Sequence, residues 1–260
     1  MPESIKVVIL CGGLGTRMKE ETEYRPKPLV EVGGMPILWH IMKIYSFYGF
    51  NEFVLPLGYK GHMIKEYFIN YEFMTNDFTL RVRSRDKICH YDKPQEDWII
   101  TFVNTGRETN TGGRIKRIQQ YINNDTIFMA TYGDGLADIN IKELLSFHKG
   151  HDCIATLTAV HPMSYYGVLD ITEDKIRGFK EKPRLDGWIN SGFFVFDRKI
   201  FDYIGENDVL EKEPLEKLAE QRQLAVYRHS SFWKSMDTFK DAQLLNQIWE
   251  SGNIPWKIWE

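Results

Sequence analysis

Residues 5–18 read IKVVILCGGLGTRM, and the fold turns on that stretch. Ile5 to Cys11 is a short, β-branched, apolar run without polar alternation, the pattern of a parallel strand buried on both faces. Glycines follow at once, so the strand passes straight into a loop from Gly12 to Met18. In an open α/β sheet such a loop lies at the carboxyl end of its strand, where ligands bind. Glycine lets backbone approach a charged group closely, and successive N–H groups can ring an anion.

Outward from that loop, strand and helix patterns alternate. Pro36 opens a helix whose Ile37, Ile41, Ile44 and Tyr48 recur at helical spacing, and Gly49 closes it. Phe53 to Leu57 reads as the next strand, with Pro56 marking its end. A helix is predicted over Gly61 to Tyr71, then strands over Asp77 to Val82 and Ile99 to Val103 with a polar excursion between them. A helix over Arg114 to Asn123 precedes the apolar strand Thr126 to Tyr132, which runs into Gly133-Asp134-Gly135. Ile141 to Lys149 reads as helix and Cys153 to Val160 as buried strand. This alternation predicts an α/β fold, a Rossmann-like mixed, mainly parallel sheet flanked by helices. Beyond it come a hairpin over Gly167 to Lys180, an apolar Phe193 to Phe196, a helix over Pro214 to Gln221 and a strand over Leu224 to His229. The last helix spans Asp237 to Gly252 and leads an aromatic tail with Trp249, Trp256 and Trp259, which either closes over its own subunit or packs against another. No repeat or low-complexity linker divides the chain, so 1–260 reads as a single domain with a small β-rich excursion and a C-terminal arm.

With 43% hydrophobic and 27% charged residues, the chain can bury an ordinary globular core. A net charge of -3 with mixed signs argues against nucleic acid as the partner, while local Lys and Arg clusters still suit small anions. Cys11, Cys89 and Cys153 are widely spaced and read as reduced thiols. Neither a signal-peptide pattern nor a run of about 18 apolar residues is present, which predicts a soluble, cytoplasmic protein with no membrane contact. His148 and His151 form the one close histidine pair and read as solvated rather than zinc-binding.

Several loop chemistries compete for Gly12 to Met18. A Walker loop needs GxxxxGK[ST], which is absent, and the dinucleotide fingerprint fails where Met18 takes the third glycine position. Arg17, and Lys27 ten residues on, suit a triphosphate better than a dinucleotide. GGLGTR with Lys27-Pro28 and VEVGGMPILWHI (30–41) is joined downstream by TGGR (111–114), YGDG (132–135) and EKP (181–183). NSGFFVFD (190–197), FWKSMDT (232–238) and PWKIWE (255–260) complete the set. Together these resemble the sugar nucleotidylyltransferase family over nearly the whole chain. The TGGR, YGDG and PWK segments are most similar to its glucose-1-phosphate cytidylyltransferase branch.

That resemblance implies the nucleotide-diphospho-sugar transferase fold and cytidylyl transfer from CTP to α-D-glucose 1-phosphate, with release of pyrophosphate. The product, CDP-glucose, would feed CDP-deoxysugar and O-antigen lipopolysaccharide synthesis. Uridylyl or thymidylyl transfer to a related sugar phosphate and a non-catalytic sugar-nucleotide sensor are the alternatives. The resemblance further implies Mg²⁺ on Asp134 and Asp237, and the ion's preference for one or two carboxylates plus phosphate oxygens and water agrees. Asp237 also reads as an ordinary helix N-cap, and Asp138 as solvated or capping. Implied catalytic groups are Arg17, Lys27 and Lys182. Leu10, Gly12, Gly13, Gly15, Thr16, Thr111, Arg114 and Gly133 join Arg17 and Lys27 around the nucleotide. Gly167, Glu181 and Asn190 join Lys182 around the sugar phosphate. No general base is required, because a phosphate monoester with its second pKa near ~6 is already anionic. Where glucose-specific members carry a PGRFG-like segment this chain reads MSYYG (163–167), with tyrosine in place of arginine. The resemblance also implies a homo-oligomer, a hexamer in particular.

Overall fold

A computed structural model describes residues 5–91, 96–122 and 125–259; Asn123, at the end of one predicted helix, and Glu260 lie outside them. The central sheet takes Val7–Leu10 (β1), Glu52–Leu57 (β2), Ile99–Asn104 (β3), Ile127–Tyr132 (β4), Ala155–Val160 (β5), Ile189–Asp197 (β6) and Leu224–Arg228 (β7). Their order is β7-β5-β6-β4-β1-β2-β3. All run parallel except β6, which is antiparallel to both β4 and β5. The sheet is thus mixed and mainly parallel, as the alternating pattern predicts.

β1 sits near the middle, paired with β2 on one side and β4 on the other. Its side chains alternate between two cores, which is why the whole strand is apolar. Val7, Ile9 and Cys11 join the core under Ile37–Phe47 (α1), while Val8 and Leu10 enter the opposite core. Gly61–Ile69 (α2), Ile141–Lys149 (α4) and Phe239–Glu250 (α6) share the α1 face; Thr111–Arg117 (α3) and Glu213–Glu220 (α5) cover the other.

Several local expectations shift. β2 runs through Pro56 to Leu57, because the Pro56 carbonyl still accepts from Cys11 N at 3.2 Å one residue before the strand ends. The helix predicted to Tyr71 breaks at Asn70 into α2 and a short turn Tyr71–Thr75. The polar excursion holds an additional strand, Asp86–His90, paired with Asp77–Arg81. α3 starts three residues before Arg114. His148 is buried, not solvated, and shares the Thr156 hydroxyl with His151. Asp138 is neither free nor a cap: it receives Ser231 Oγ and lies 2.9 Å from His229 Nε2. The aromatic tail closes over its own body. Trp256 is fully buried, its Nε1 meets His40 Nδ1 at 3.4 Å, and the rings of Trp249 and Trp259 surround the same histidine.

Candidate active site

The carboxyl ends of β1, β3 and β4 open into one cleft of about 740 Å³. The loop after β1 forms its rim, and two glycines there are needed for different reasons. Gly15 has φ 63°, in the left-handed region that L side chains disfavour. Gly12 is needed for space, since a Cβ there would lie 2.0 Å from the Arg114 guanidinium. Met18 beyond them is fully buried and pins the loop to the core.

Arg114 explains how the loop is held. It is 3% exposed, and its guanidinium donates to the carbonyls of Gly12, Leu57, Gly106 and Arg107 and to Thr105 Oγ1. One planar fork therefore ties the first loop to the ends of β2 and β3. It lines the cleft from beneath the loop.

Four charged side chains from distant segments, Arg17, Lys27, Asp134 and Asp237, converge on the cleft floor. Lys27 comes from a single 3₁₀ turn, Lys27–Leu29, that Pro26 enters in extended conformation. Its Nζ donates to Asp134 Oδ2 at 2.6 Å and to Asp237 Oδ1 at 3.0 Å. Arg17 Nη2 lies 3.2 Å from the same Asp237 oxygen. Asp134 follows β4, and the backbone then pairs Gly135–Ala137 with Trp233–Ser235, so Met236 N donates to the Asp134 carbonyl at 2.8 Å. That pairing brings the two aspartates together. Asp237 is not the helix cap: Thr238 caps α6 in a capping box with Asp241, which leaves Asp237 facing the cleft.

Burial opposes charge on Lys27, but Asp134 and then Asp237 outweigh it and hold the ammonium pKa above its ordinary value. Burial likewise opposes the Asp237 carboxylate, and Lys27, Ser235 and Arg17 outweigh it and depress its pKa. Two hard oxygen donors therefore aim at one cationic point, which the Lys27 ammonium fills. Among the described residues no group of three or more His, Cys, Asp or Glu side chains is placed to hold a metal. A pair of carboxylates beside an open cleft of this size fits an ion that completes its shell with phosphate oxygens and water. The three cysteines are free, and burial with the Asp134 charge raises the Cys11 pKa, so that thiol stays protonated.

Of the other predicted residues, Leu10, Gly13, Thr16, Thr111, Gly133 and Asn190 line the cleft. Gly167, Glu181 and Lys182 are not among its lining residues. They sit on the strap around the hairpin Val168–Thr172 and Lys175–Lys180, where Lys182 takes φ 44°. Sequence reasoning missed Glu211, Tyr132 and Trp233 as cleft residues. Trp233 and Tyr132 lay inside quoted motifs without a role; Glu211 lies in VLEKEP, which carries no recognisable signal.

Residues 6–249 match the family described as Nucleotidyl transferase. The chain is 49% identical over 259 residues to glucose-1-phosphate cytidylyltransferase from Salmonella typhimurium, spanning 98% of this chain and 100% of that one. It is 49% identical over 257 residues to a probable glucose-1-phosphate cytidylyltransferase from Bacillus subtilis, again spanning 98% and 100%. Among solved structures, HddC from Yersinia pseudotuberculosis aligns with TM-score 0.68 at 25% identity over 94% of this chain and 99% of that one. Likeness running almost end to end, in sequence and in backbone, makes this chain a member of the nucleotidyl transferase family.

Proposed function

We propose that the protein transfers a cytidylyl group from CTP to α-D-glucose 1-phosphate, giving CDP-glucose and pyrophosphate. The observation that carries this reading is the convergence of Lys27, Asp134 and Asp237 beside a glycine loop tied down by Arg114. The near full-length likeness to glucose-1-phosphate cytidylyltransferases supports the choice of substrates.

An oxygen of the sugar phosphate attacks the α-phosphorus, and the bond to the bridging oxygen breaks on the opposite side. The nucleophile is already anionic, so the protein's task is to hold two anions in line and offset their repulsion. Loop amides from Gly12 to Thr16, with Arg17, receive the departing pyrophosphate; Lys27 bridges α-phosphate and leaving-group oxygens. Leu10, Thr111 and Gly133 flank the nucleotide, and Arg114 supports it through the loop it holds. Lys182 offsets the sugar phosphate charge as its strap closes on the cleft, and Gly167, Glu181 and Asn190 face the sugar. Asp134 and Asp237 would hold a divalent cation, magnesium by their oxygen chemistry, which supplies further neutralisation of phosphate charge.

The assembly proposed is a homo-oligomer, a hexamer in particular. Its support is the hairpin Asp77–Arg81 with Asp86–His90, which leaves Phe78, Leu80 and Ile88 exposed. Among the described residues no helix is long and apolar enough to cross a membrane, in keeping with a cytoplasmic role in CDP-sugar supply.

The test is pyrophosphate release from glucose 1-phosphate and Mg²⁺ with CTP, UTP, dTTP, ATP or GTP offered singly. Release with CTP alone, abolished by a chelator, is the expected result. Release with another nucleotide would keep the chemistry and overturn the base assignment. Silence across a panel of sugar phosphates would overturn the activity.

A further inference from the structure

Glu211 is an acid in the wall of a cleft that, on the reading above, admits a triphosphate and a phosphate monoester. Asp134 and Asp237 are balanced by Lys27 and Arg17. Among the described residues no Lys or Arg pairs with Glu211. Two hydroxyls hold it instead: Thr111 Oγ1 donates to Oε2 at 2.7 Å, and Tyr132 Oη donates to Oε1.

Both donors are themselves fixed. Leu210 N donates to Thr111 Oγ1 at 2.9 Å, which leaves the Thr111 proton for Glu211. Asn190 Nδ2 points at Tyr132 Oη at 3.4 Å, while Asn190 Oδ1 accepts from Gly192 N at 2.9 Å, which settles the orientation of that amide. This chain of bonds joins three parts of the cleft wall: the start of α3, the end of β4 and the start of β6. All of it orients one carboxylate, and each carboxylate oxygen keeps acceptor capacity beyond the bond it receives.

An unpaired anion here opposes the entry of phosphates unless it meets donors. Substrates of this class offer donors away from their phosphates as hydroxyls, on the ribose or on the hexose. A carboxylate that accepts from a ribose hydroxyl is an established device of nucleotide sites.

We propose that Glu211 is a specificity-determining residue whose carboxylate accepts a hydrogen bond from a substrate hydroxyl, with Thr111 and Tyr132 as its positioning residues. The inference rests on the nucleotidylyl-transfer reading and names a contact within it. The hydroxyl belongs to the ribose or to the hexose, and the test separates the two.

Binding of CTP, 2′-deoxy-CTP and CDP-glucose in Mg²⁺ is measured by calorimetry on the unaltered protein and on Glu211→Gln, with pyrophosphate release and Tm on the same samples. Glutamine keeps the shape but removes the charge, so the affected ligand binds roughly tenfold or more weakly. Weaker CTP with a narrowed gap to 2′-deoxy-CTP assigns the ribose. Weaker CDP-glucose with CTP unchanged assigns the hexose. Tyr132→Phe weakens the same ligand by a smaller factor. Unchanged affinities for all three ligands, with or without a lower Tm, overturn the assignment and leave Glu211 a structural tie between α3 and the start of α5. An unaltered protein that neither binds cytidine nucleotides nor releases pyrophosphate overturns the parent reading together with this one.

Discussion

Lys27, with its side chain 14% exposed, separates two carboxylates that would otherwise repel each other across the cleft floor. Lys27→Met should therefore do two things at once. Turnover falls roughly 10²–10³-fold, the cost of losing one charged donor aimed at a transition state. The protein without cation also loses about 2 kcal/mol, because Asp134 loses its counter-charge beside an Asp237 that keeps only Arg17. Added Mg²⁺ should then raise the variant's Tm by more than it raises that of the parent protein, in a pair of melts with and without the ion. Equal shifts would mean that the ion binds elsewhere. Part of this site was legible in the residues themselves, since the glycines and Arg17 of GGLGTR point to an anion, whereas the KP pair and GDG took their roles from the family resemblance. Arg114 was legible only as a position. Its motif marks it as part of the site, but burial under Gly12 follows from how far β2 and β3 extend, and no local spacing records that.

The element that aims Asp237 is the turn between the strand Trp233–Ser235 and α6. Asp241 gathers this turn, receiving Thr238 N at 2.9 Å, Thr238 Oγ1 at 2.8 Å and Asp237 N at 3.2 Å, with Lys234 as its ion partner. Asp241→Ala removes half of the capping box and should destabilise the fold by about 1–2 kcal/mol in chemical denaturation. It should also weaken divalent-cation binding, although Asp241 is not itself placed to hold the ion. A loss of stability with unchanged cation affinity would separate the cap from the site. The capping box was present in the sequence as Thr238 followed three residues later by Asp241, and reading Asp237 as the cap places it one residue early. Strand β6 was harder to place. Its apolar core over Phe193 to Phe196 was visible, but its antiparallel insertion between β5 and β4 depends on partners about 30–40 and 60–70 residues away, which periodicity cannot rank.

Over the whole molecule, acid stability divides into two pH windows set by different groups. Burial lowers the pKa of His40 to about 4; its Nε2 lies 2.7 Å from the Val32 carbonyl and its Nδ1 accepts from Trp256, so it is held neutral under the aromatic arm. Burial, followed by the charge of His151, lowers His148 to about 4 as well. In the unfolded chain both titrate near 6.5. Between about pH 6.5 and 4 the unfolded state therefore binds more protons than the folded state, and stability falls as pH drops through that range. The full loss approaches roughly 3 kcal/mol for each histidine. Asp138, Asp237 and Asp241 act lower down: their folded pKa values are depressed, so their contribution is intact above about pH 4 and is lost below it. His40→Gln keeps a donor for Val32 but cannot charge. It should remove about half of the slope of Tm against pH between 6.5 and 4 while leaving the steeper fall below 4 in place. Trp256 and its neighbours report the same event optically, since a charged His40 expels the arm and shifts tryptophan emission to the red. An unchanged slope in the variant would place the proton uptake on His148 alone and would leave the arm closed down to the carboxylate window.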